Sequence, residues 1–336
     1  MLKKTRFQLL KIFIFSLLFT SFGHSQTNTS YTSLKKPAYL KVGDTIAIVS
    51  PAGILKNKEP IEKAVKLVKS WGLHVVLGEH LFGTNFHFSG TEKERIKDFQ
   101  TALDSGNVKA IWCGRGGYGT VRIIDGLDFT KFKKNPKWII GYSDITVLHS
   151  HIHNLGYETL HAMMPVNMKV EEKKRVKTVK TFKKALFGKP LKYKVKESTY
   201  NKVGETRGQL VGGNLSILQS LLGSVSSINT NQKIVFIEDV GEYLYNIDRM
   251  VYALKRSGYF KECNGIIVGD MTNIKDNSTP FGQTVEEIVL EATKEYDFPI
   301  LFGFPGGHDD INKALFLGRE IELKVGKQHS TVKFSD

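Results

Sequence analysis

Trp138-Ile139-Ile140-Gly141-Tyr142-Ser143-Asp144-Ile145-Thr146-Val147-Leu148 runs from an unbroken apolar segment through a glycine and a serine into a helical pattern. It reads as a buried strand, a sharp turn and an amphipathic helix. Such a turn lifts a hydroxyl out of the end of a sheet and aims the first helical N–H groups at the same point, where an oxyanion can develop. Ser143 therefore has two readings, a nucleophile or the N-cap of the helix, a position that serine favours. This window alone does not separate them.

Working outward towards the N-terminus, Thr45-Ile46-Ala47-Ile48-Val49-Ser50 is a continuous apolar strand ending in Pro51-Ala52-Gly53. Ile61, Ala64, Val65 and Val68 fall on one face of a helix that stops at Gly72, and Leu73 to Leu77 is the next strand. A loop holding His80, Phe86, His87 and Phe88 leads to Thr91, which with Glu94 forms a capping box for a helix through Leu103. Ala110 to Cys113 is a third strand, and the strand before the turn, Lys137 to Ile140, is the fourth. Strands alternating with helices imply a parallel sheet covered on both faces. Sites in such sheets lie beyond the carboxyl ends of the strands, so the residues after Ser50, Cys113 and Ile140 matter most.

After His161 the character changes. Residues 168–205 are Lys-rich and polar, with one helix expected from Val179 to Phe187, and read as a connection between a domain at 41–167 and a second at 206–336. In the second, Gly212-Gly213-Asn214-Leu215 opens a helix to Leu222, and Lys233 to Ile237 is an apolar strand. Ile247 to Leu254 is helical, Gly265 to Val268 and Ile300 to Phe304 are strands, and 320–325 with 330–334 form a closing pair. No internal repeat is present.

The 336 residues suffice for two domains with cores of their own, and 41% hydrophobic with 24% charged residues is ordinary globular composition. Lys3, Lys4, Arg6 and Lys11 precede an apolar run from Ile12 to Phe22, followed by Gly23 and Ser25. Residues 1–25 thus read as a cleaved secretory signal, too short in its apolar part for a stable membrane anchor, and imply export to the periplasm. Residues 26–40 read as a flexible polar leader. Loss of the signal takes four positive charges from a formal +15 and leaves +11. The basic runs lack interleaved aromatic platforms, which argues against nucleic acid and leaves a solvated basic face or attraction to an acidic polymer. Cys113 and Cys263 lie in apolar strand contexts and read as buried free thiols, with a bridge as the alternative.

Gly114-Arg115-Gly116-Gly117-Tyr118-Gly119 follows a strand and precedes a helical-looking Val121 to Ile124. It contains G-x-G-x-x-G, but in the wrong place for a dinucleotide fingerprint, which belongs to the first strand–helix turn. What remains is a turn that exposes N–H groups to an anion or a polarised carbonyl. Arg115 either clamps a substrate carboxylate or steadies its loop. A serine nucleophile needs a base and an orienting acid. Among the histidines His308 is best placed, after a strand and Pro305-Gly306-Gly307. Glu238, Asp239 and Glu242 end another strand, and spacing does not choose among them. No metal is expected: paired-Cys and H-E-x-x-H motifs are lacking, and His149, His151 and His153 do not share a helix face.

These blocks (Arg115-Gly116-Gly117-Tyr118-Gly119, Gly141-Tyr142-Ser143-Asp144, Gly212-Gly213-Asn214-Leu215, Ile237-Glu238-Asp239-Val240-Gly241-Glu242 and Phe304-Pro305-Gly306-Gly307-His308) resemble, in order and approximate spacing, the LD-carboxypeptidase family of serine peptidases, over nearly all of residues 40–330. The family includes murein tetrapeptide carboxypeptidases and microcin C immunity peptidases. The resemblance implies a flavodoxin-like N-terminal α/β sheet and a barrel-like α/β C-terminal domain. It also implies a catalytic triad of Ser143, Glu238 and His308, an oxyanion hole from the N–H groups of Gly117 and Asp144, no cofactor, and a homodimer. The sequence departs from the family's usual pattern at Pro305 or Gly306 and in its export signal. The expected activity is removal of the terminal D-Ala from murein tetrapeptide stems by cutting an L,D amide bond, with Arg115 holding the carboxylate. The alternatives are a microcin-immunity-type peptidase acting on a nucleotide conjugate and a non-catalytic two-lobed binding protein.

Overall fold

Short apolar runs become the parallel strands β1 (Thr45–Val49), β2 (His74–Leu77), β3 (Val108–Cys113), β4 (Trp138–Gly141) and β5 (Thr159–His161) in a computed structural model that describes residues 34–336. The segment 1–25, expected to be a signal, and residues 26–33 of the expected leader lie outside the described residues. The connecting helices are α1 (Glu59–Lys69), α2 (Glu92–Asp104), α3 (Thr130–Lys134) and α4 (Thr146–Asn154). The strand order β2-β1-β3-β4-β5 is the flavodoxin-like one. The capping box at α2 forms as its sequence requires, with Thr91 Oγ1 accepting from the Glu94 N–H at 3.3 Å and Glu94 Oε2 accepting from the Thr91 N–H at 2.7 Å.

The remaining elements are α5 (Glu172–Leu186), β6 (Lys192–Lys196), β7 (Gly204–Asn214), α6 (Leu215–Ser220), β8 (Ile234–Val240), α7 (Leu244–Arg256), β9 (Gly265–Thr272), α8 (Val285–Ala292), β10 (Ile300–Leu301), β11 (Leu315–Leu317), β12 (Glu320–Val325) and β13 (His329–Phe334). Seven of these strands make a second, mixed sheet in the order β10-β9-β8-β7-β12-β13-β6. The long β7 joins its two parts. Gly204 to Gln209 pair antiparallel with β12, and Leu210 to Asn214 pair parallel with β8. A bridge between Lys202 and Ile300 curls the start of β7 towards the opposite edge.

Several expectations need correction. Residues 34–40 are not a loose leader: Trp138 Nε1 donates to Ala38 O at 3.0 Å, Tyr39 stacks on Trp138, and Leu40 is buried. Tyr39 and Leu40 carry the apolar surface that makes this docking favourable. Residues 168–205 are more than a connection. α5 begins seven residues before the expected helix and buries Phe182, Ala185 and Leu186 against Trp71 and Trp112, while its lysines face solvent. β6 alternates exposed and buried residues as the edge of the second sheet. Val121 to Ile124 forms two 3₁₀ turns rather than a helix. β11, unanticipated, returns from the C-terminal region to pair antiparallel with β5, Leu315 opposite His161.

The two sheets consequently share one of their buried clusters. Trp112, Trp138 and Leu160 from the first pack in one continuous cluster with Phe236, Phe304, Phe316 and Leu323 from the C-terminal half. Beside it Arg319 makes a buried ion pair with Glu158, Nε to Oε2 at 3.1 Å, and lays its guanidinium 3.7 Å over the Phe316 ring. Cys113 and Cys263 are both buried and free.

Candidate active site

Ser143 sits at φ +63° immediately beyond β4, a left-handed conformation that costs a non-glycine residue about 1–2 kcal/mol. It opens a 3₁₀ turn, Ser143–Ile145, which runs into α4, and neither segment has a side-chain cap at its N-terminus. The N-cap reading of Ser143 is thereby corrected: Tyr142 and Ile145 hold the N-cap positions, and Ser143 makes no capping hydrogen bond. The neighbouring chain fits closely around it. A Cβ placed on Gly116 would lie 3.0 Å from Ser143 Cβ, 3.2 Å from its Oγ and 3.3 Å from the Asp144 nitrogen, so only glycine lets this backbone reach the serine.

The glycine-rich loop after β3 is held in that place from two sides. Gly116 O accepts the Gly53 N–H from the loop after β1 at 3.0 Å. In a trans peptide N–H and C=O point oppositely, so the Gly117 N–H is directed away from Gly53. Gly117 is exposed, at φ +104°. Asp144 Oδ2 accepts the Thr120 N–H at 2.8 Å and thereby ties the serine turn to the end of the same loop. Burial raises the Asp144 carboxyl, against the hydrogen bonds from Thr120 and the nearby Arg95 charge. Arg115 donates to Ile54 O at 2.9 Å and steadies the junction of these two loops.

His308 and Glu238, far apart in the chain, meet at 2.7 Å, His308 Nδ1 to Glu238 Oε2. Glu238 lies in the buried run of β8, just before the buried Asp239, and is itself fully buried. Burial pulls the His308 proton affinity down, but the Glu238 hydrogen bond and charge, with Asp239 and Asp270, outweigh it and leave the imidazole above the ordinary histidine range. With Nδ1 engaged, Nε2 remains for a reacting partner. The His308 ring lies edge-on to Tyr142, centroids 4.9 Å apart, which brings the histidine loop against the residue preceding Ser143. Gly307, at φ +141°, permits this approach: a Cβ there would stand 2.9 Å from Glu238 Oε2.

The three acids left open by spacing now separate. Glu238 alone reaches His308. Asp239 instead accepts from Asn214 Nδ2 and the Ser216 N–H, at 3.0 and 2.9 Å, anchoring the start of α6, and burial first pushes its carboxyl up to about 6. Glu242 accepts from Asn246. Asn214 caps α6 through its side chain and donates its N–H to Thr146 Oγ1 at 3.0 Å, so the Gly212-Gly213-Asn214 block stitches β7 to α4 behind the serine.

Sequence reasoning missed Asp270 near the end of β9, beside the His308 loop; His161, one of the histidines the sequence offered as a base, is instead buried beside Tyr142, ring centroids 5.8 Å apart. Asp270 stands alone after Gly269, with no motif around it. Burial first, then Asp309 and Glu238, push its carboxyl up to about 7. His149 engages Thr159 and Gly141 O, while His151 engages Ser226, so the helix histidines diverge. Among the described residues no cluster of three or more His, Cys, Asp or Glu suited to a metal ion occurs.

Residues 46–162 match the LD-carboxypeptidase N-terminal domain and residues 207–323 the LD-carboxypeptidase C-terminal domain. The chain is 33% identical over 306 residues to a probable murein peptide carboxypeptidase of Bacillus subtilis, with 89% of this chain and 94% of the relative covered. It is 26% identical to the murein tetrapeptide carboxypeptidase of Pseudomonas aeruginosa, with 83% and 92% covered. It is also 26% identical to the microcin C7 self-immunity protein MccF of Escherichia coli, with 88% and 94% covered. Among solved structures, the muramoyltetrapeptide carboxypeptidase from Oxalobacter formigenes shares the fold at a TM-score of 0.80 and 24% identity, covering 87% of this chain and 99% of that one. MccF in complex with glutamyl sulfamoyl guanosine does so at 0.80 and 23%, covering 88% and 97%.

Proposed function

Because this chain belongs to the LD-carboxypeptidase family, a family of peptidase hydrolases, we propose that it is a serine carboxypeptidase releasing the terminal D-Ala from murein tetrapeptide stems. The observation that carries the reading is the buried Glu238–His308 pair at 2.7 Å, its imidazole against Tyr142 and hence beside the strained Ser143 turn. Ser143 Oγ attacks the carbonyl of the L-centre while His308 Nε2 takes its proton. Glu238 holds the tautomer and favours the imidazolium that forms. His308 then returns the proton to the departing D-Ala nitrogen. Water, deprotonated by His308, resolves the acyl-enzyme.

The N–H groups of Asp144 and Gly117 receive the developing oxyanion, a role supported by the placement of Gly116 against both Ser143 and the Asp144 nitrogen. Arg115 is the proposed partner of the substrate carboxylate; its other N–H groups are spare once one is committed to Ile54 O. Export through residues 1–25 and homodimer formation belong to the same reading. A second reading, hydrolysis of an aminoacyl or peptidyl nucleotide conjugate, is favoured by the 26% identity to the microcin C7 self-immunity protein.

The test is incubation of the protein and its Ser143→Ala variant with a murein tetrapeptide, with D-Ala followed by mass spectrometry. Release by the wild type alone is expected. Release by neither removes the murein substrate, and equal release by both removes Ser143 as nucleophile. An aminoacyl sulfamoyl adenosine run in parallel decides between the two substrate classes.

A further inference from the structure

The loop carrying His308 is gripped by the end of β9. The Asp270 N–H donates to Gly306 O at 2.9 Å, and the approach is tight enough that a Cβ on Gly269 would stand 2.3 Å from that oxygen. On the other side of His308, Asp309 follows on the same loop, and its backbone N–H favours the ionised Asp270 carboxyl. Thr272 Oγ1 donates to Asp309 Oδ1 at 3.0 Å, and Asn312 Oδ1 accepts the Gly307 N–H at 3.3 Å. Asp270 thus bears on the loop on both flanks of the histidine, through its main-chain N–H before it and its carboxyl after it. A Cβ on Gly307 would lie 3.1 Å from Asp270 Cβ and 2.9 Å from Glu238 Oε2, which sets Asp270 next to the orienting acid. Its Oδ2 is buried and has no hydrogen-bond partner among the described residues.

The geometry points to Asp270 as a positioning residue that acts through His308: its carboxyl steadies the backbone just after the base and adds a second acid to the imidazole's surroundings. The inference rests on His308 being the base proposed above. Asp270 makes no hydrogen bond to the ring, whose Nδ1 belongs to Glu238, so its two effects are the geometry of the loop and charge acting through space. The groups facing His308 are Glu238 and Asp239 from β8, Asp270 from β9, Tyr142 from the serine turn and His161 from β5, with Asp309 next to it on its own loop. The acids favour the charged imidazole, Asp270 only to the extent that it is ionised, since its own carboxyl is pushed up to about 7. Burial keeps His161 well below the ordinary histidine range, so at neutral pH it is uncharged and leaves the acids unopposed.

Asp270→Asn keeps an oxygen for the Asp309 N–H and removes the charge; Asp270→Ala removes both. The full chain and both variants are compared by NMR titration of the His308 imidazole and by the pH profile of D-Ala release. Both variants move the imidazole midpoint to lower pH. Asp270→Ala lowers kcat by roughly 10- to 100-fold with KM within about threefold, the effect of a misplaced catalytic group. Asp270→Asn recovers most of that turnover while retaining the lowered midpoint. An unmoved midpoint in both variants overturns the electrostatic role, and wild-type turnover in Asp270→Ala overturns the loop role. Should the wild type release no D-Ala, the substrate assignment falls, and the imidazole titration still decides whether Asp270 acts on His308.

Discussion

At Ser143 one torsion carries two consequences. A φ of +63° strains the folded protein, and it turns the hydroxyl out of the strand end towards the glycine-rich loop. Stability and activity are therefore expected to part company here. Ser143→Gly relieves the strain and raises stability by about 1 kcal/mol, read as a higher Tm, while abolishing turnover. Ser143→Ala keeps the strain, so its Tm stays close to wild type, and it lowers kcat on the order of 10⁴-fold or more. A Ser143→Gly protein that melts below wild type would contradict the strain argument. The second expectation at this scale concerns pH. His308 must be neutral to accept the serine proton, and its Glu238 partner raises its proton affinity above the histidine range. The acid limb of kcat/KM therefore lies above pH 6.5, with activity lost as pH falls through it, and Glu238→Gln moves that limb down. A wild-type limb at or below 6.5 would show that the pair does not govern the base.

At the scale of elements, the site is an intersection of strand ends. β1 and β3 end in loops that interlock through Gly53 and Gly116, β4 leads into the serine turn, and β8 and β9 carry Glu238 and Asp270 two residues before their ends. What holds the two groups of elements in register is the contact between β7 and α4, where a Cβ on Gly213 would come 2.5 Å from Thr146 Oγ1 at a φ of +145°. Gly213→Ala is accordingly expected to lose roughly 2 kcal/mol or more and to lower kcat even at temperatures where it is folded, because α4 and the serine turn must shift. Double replacement with Thr146→Ser, which removes a methyl group from the same spot, recovers part of the stability. Equal Tm values for wild type and Gly213→Ala would show that this crossing tolerates displacement. The elements were legible to different degrees. Apolar runs and the Thr91–Glu94 box announced β1 to β4 and α2, whereas the three-residue β5 and β11 are too short to show a period and are strands only through their pairing, β5 between β4 and β11, and β11 on β5.

Across the whole molecule, the two-sheet architecture does not amount to two independent folding units. Trp112 and Trp138 share a cluster with Phe236 and Phe304, β11 crosses back to the first sheet, and Arg319 closes on Glu158 within the buried interface. Residues 34–336 are therefore expected to unfold in a single calorimetric transition. Fragments 41–167 and 206–336 expressed separately are expected not to fold, since each would expose half of the shared core. Arg319→Met leaves a buried carboxylate without its partner and is expected to cost about 3–5 kcal/mol, with much of the loss recovered by adding Glu158→Gln. Two well-separated transitions, or a folded isolated fragment, would refute the shared-core account.

The sequence by itself determined the parallel sheet, the places where its strands end and the identity of the residues gathered there, because strand periodicity, glycine turns and helix caps are local properties written within a few residues of each other. It also carried the blocks whose order resembles a known family. Spacing did not determine which of Glu238, Asp239 and Glu242 reaches His308, which only the resemblance implied, and nothing in the sequence determined that Ser143 is strained rather than capping, or that Asp270 flanks the base. Nor did it reveal that residues 34–40 and 168–205 belong to the packed body. Those facts depend on contacts between residues up to about a hundred or more positions apart, made where two sheets bury one core between them, and no local pattern encodes a distance that only the closed chain creates.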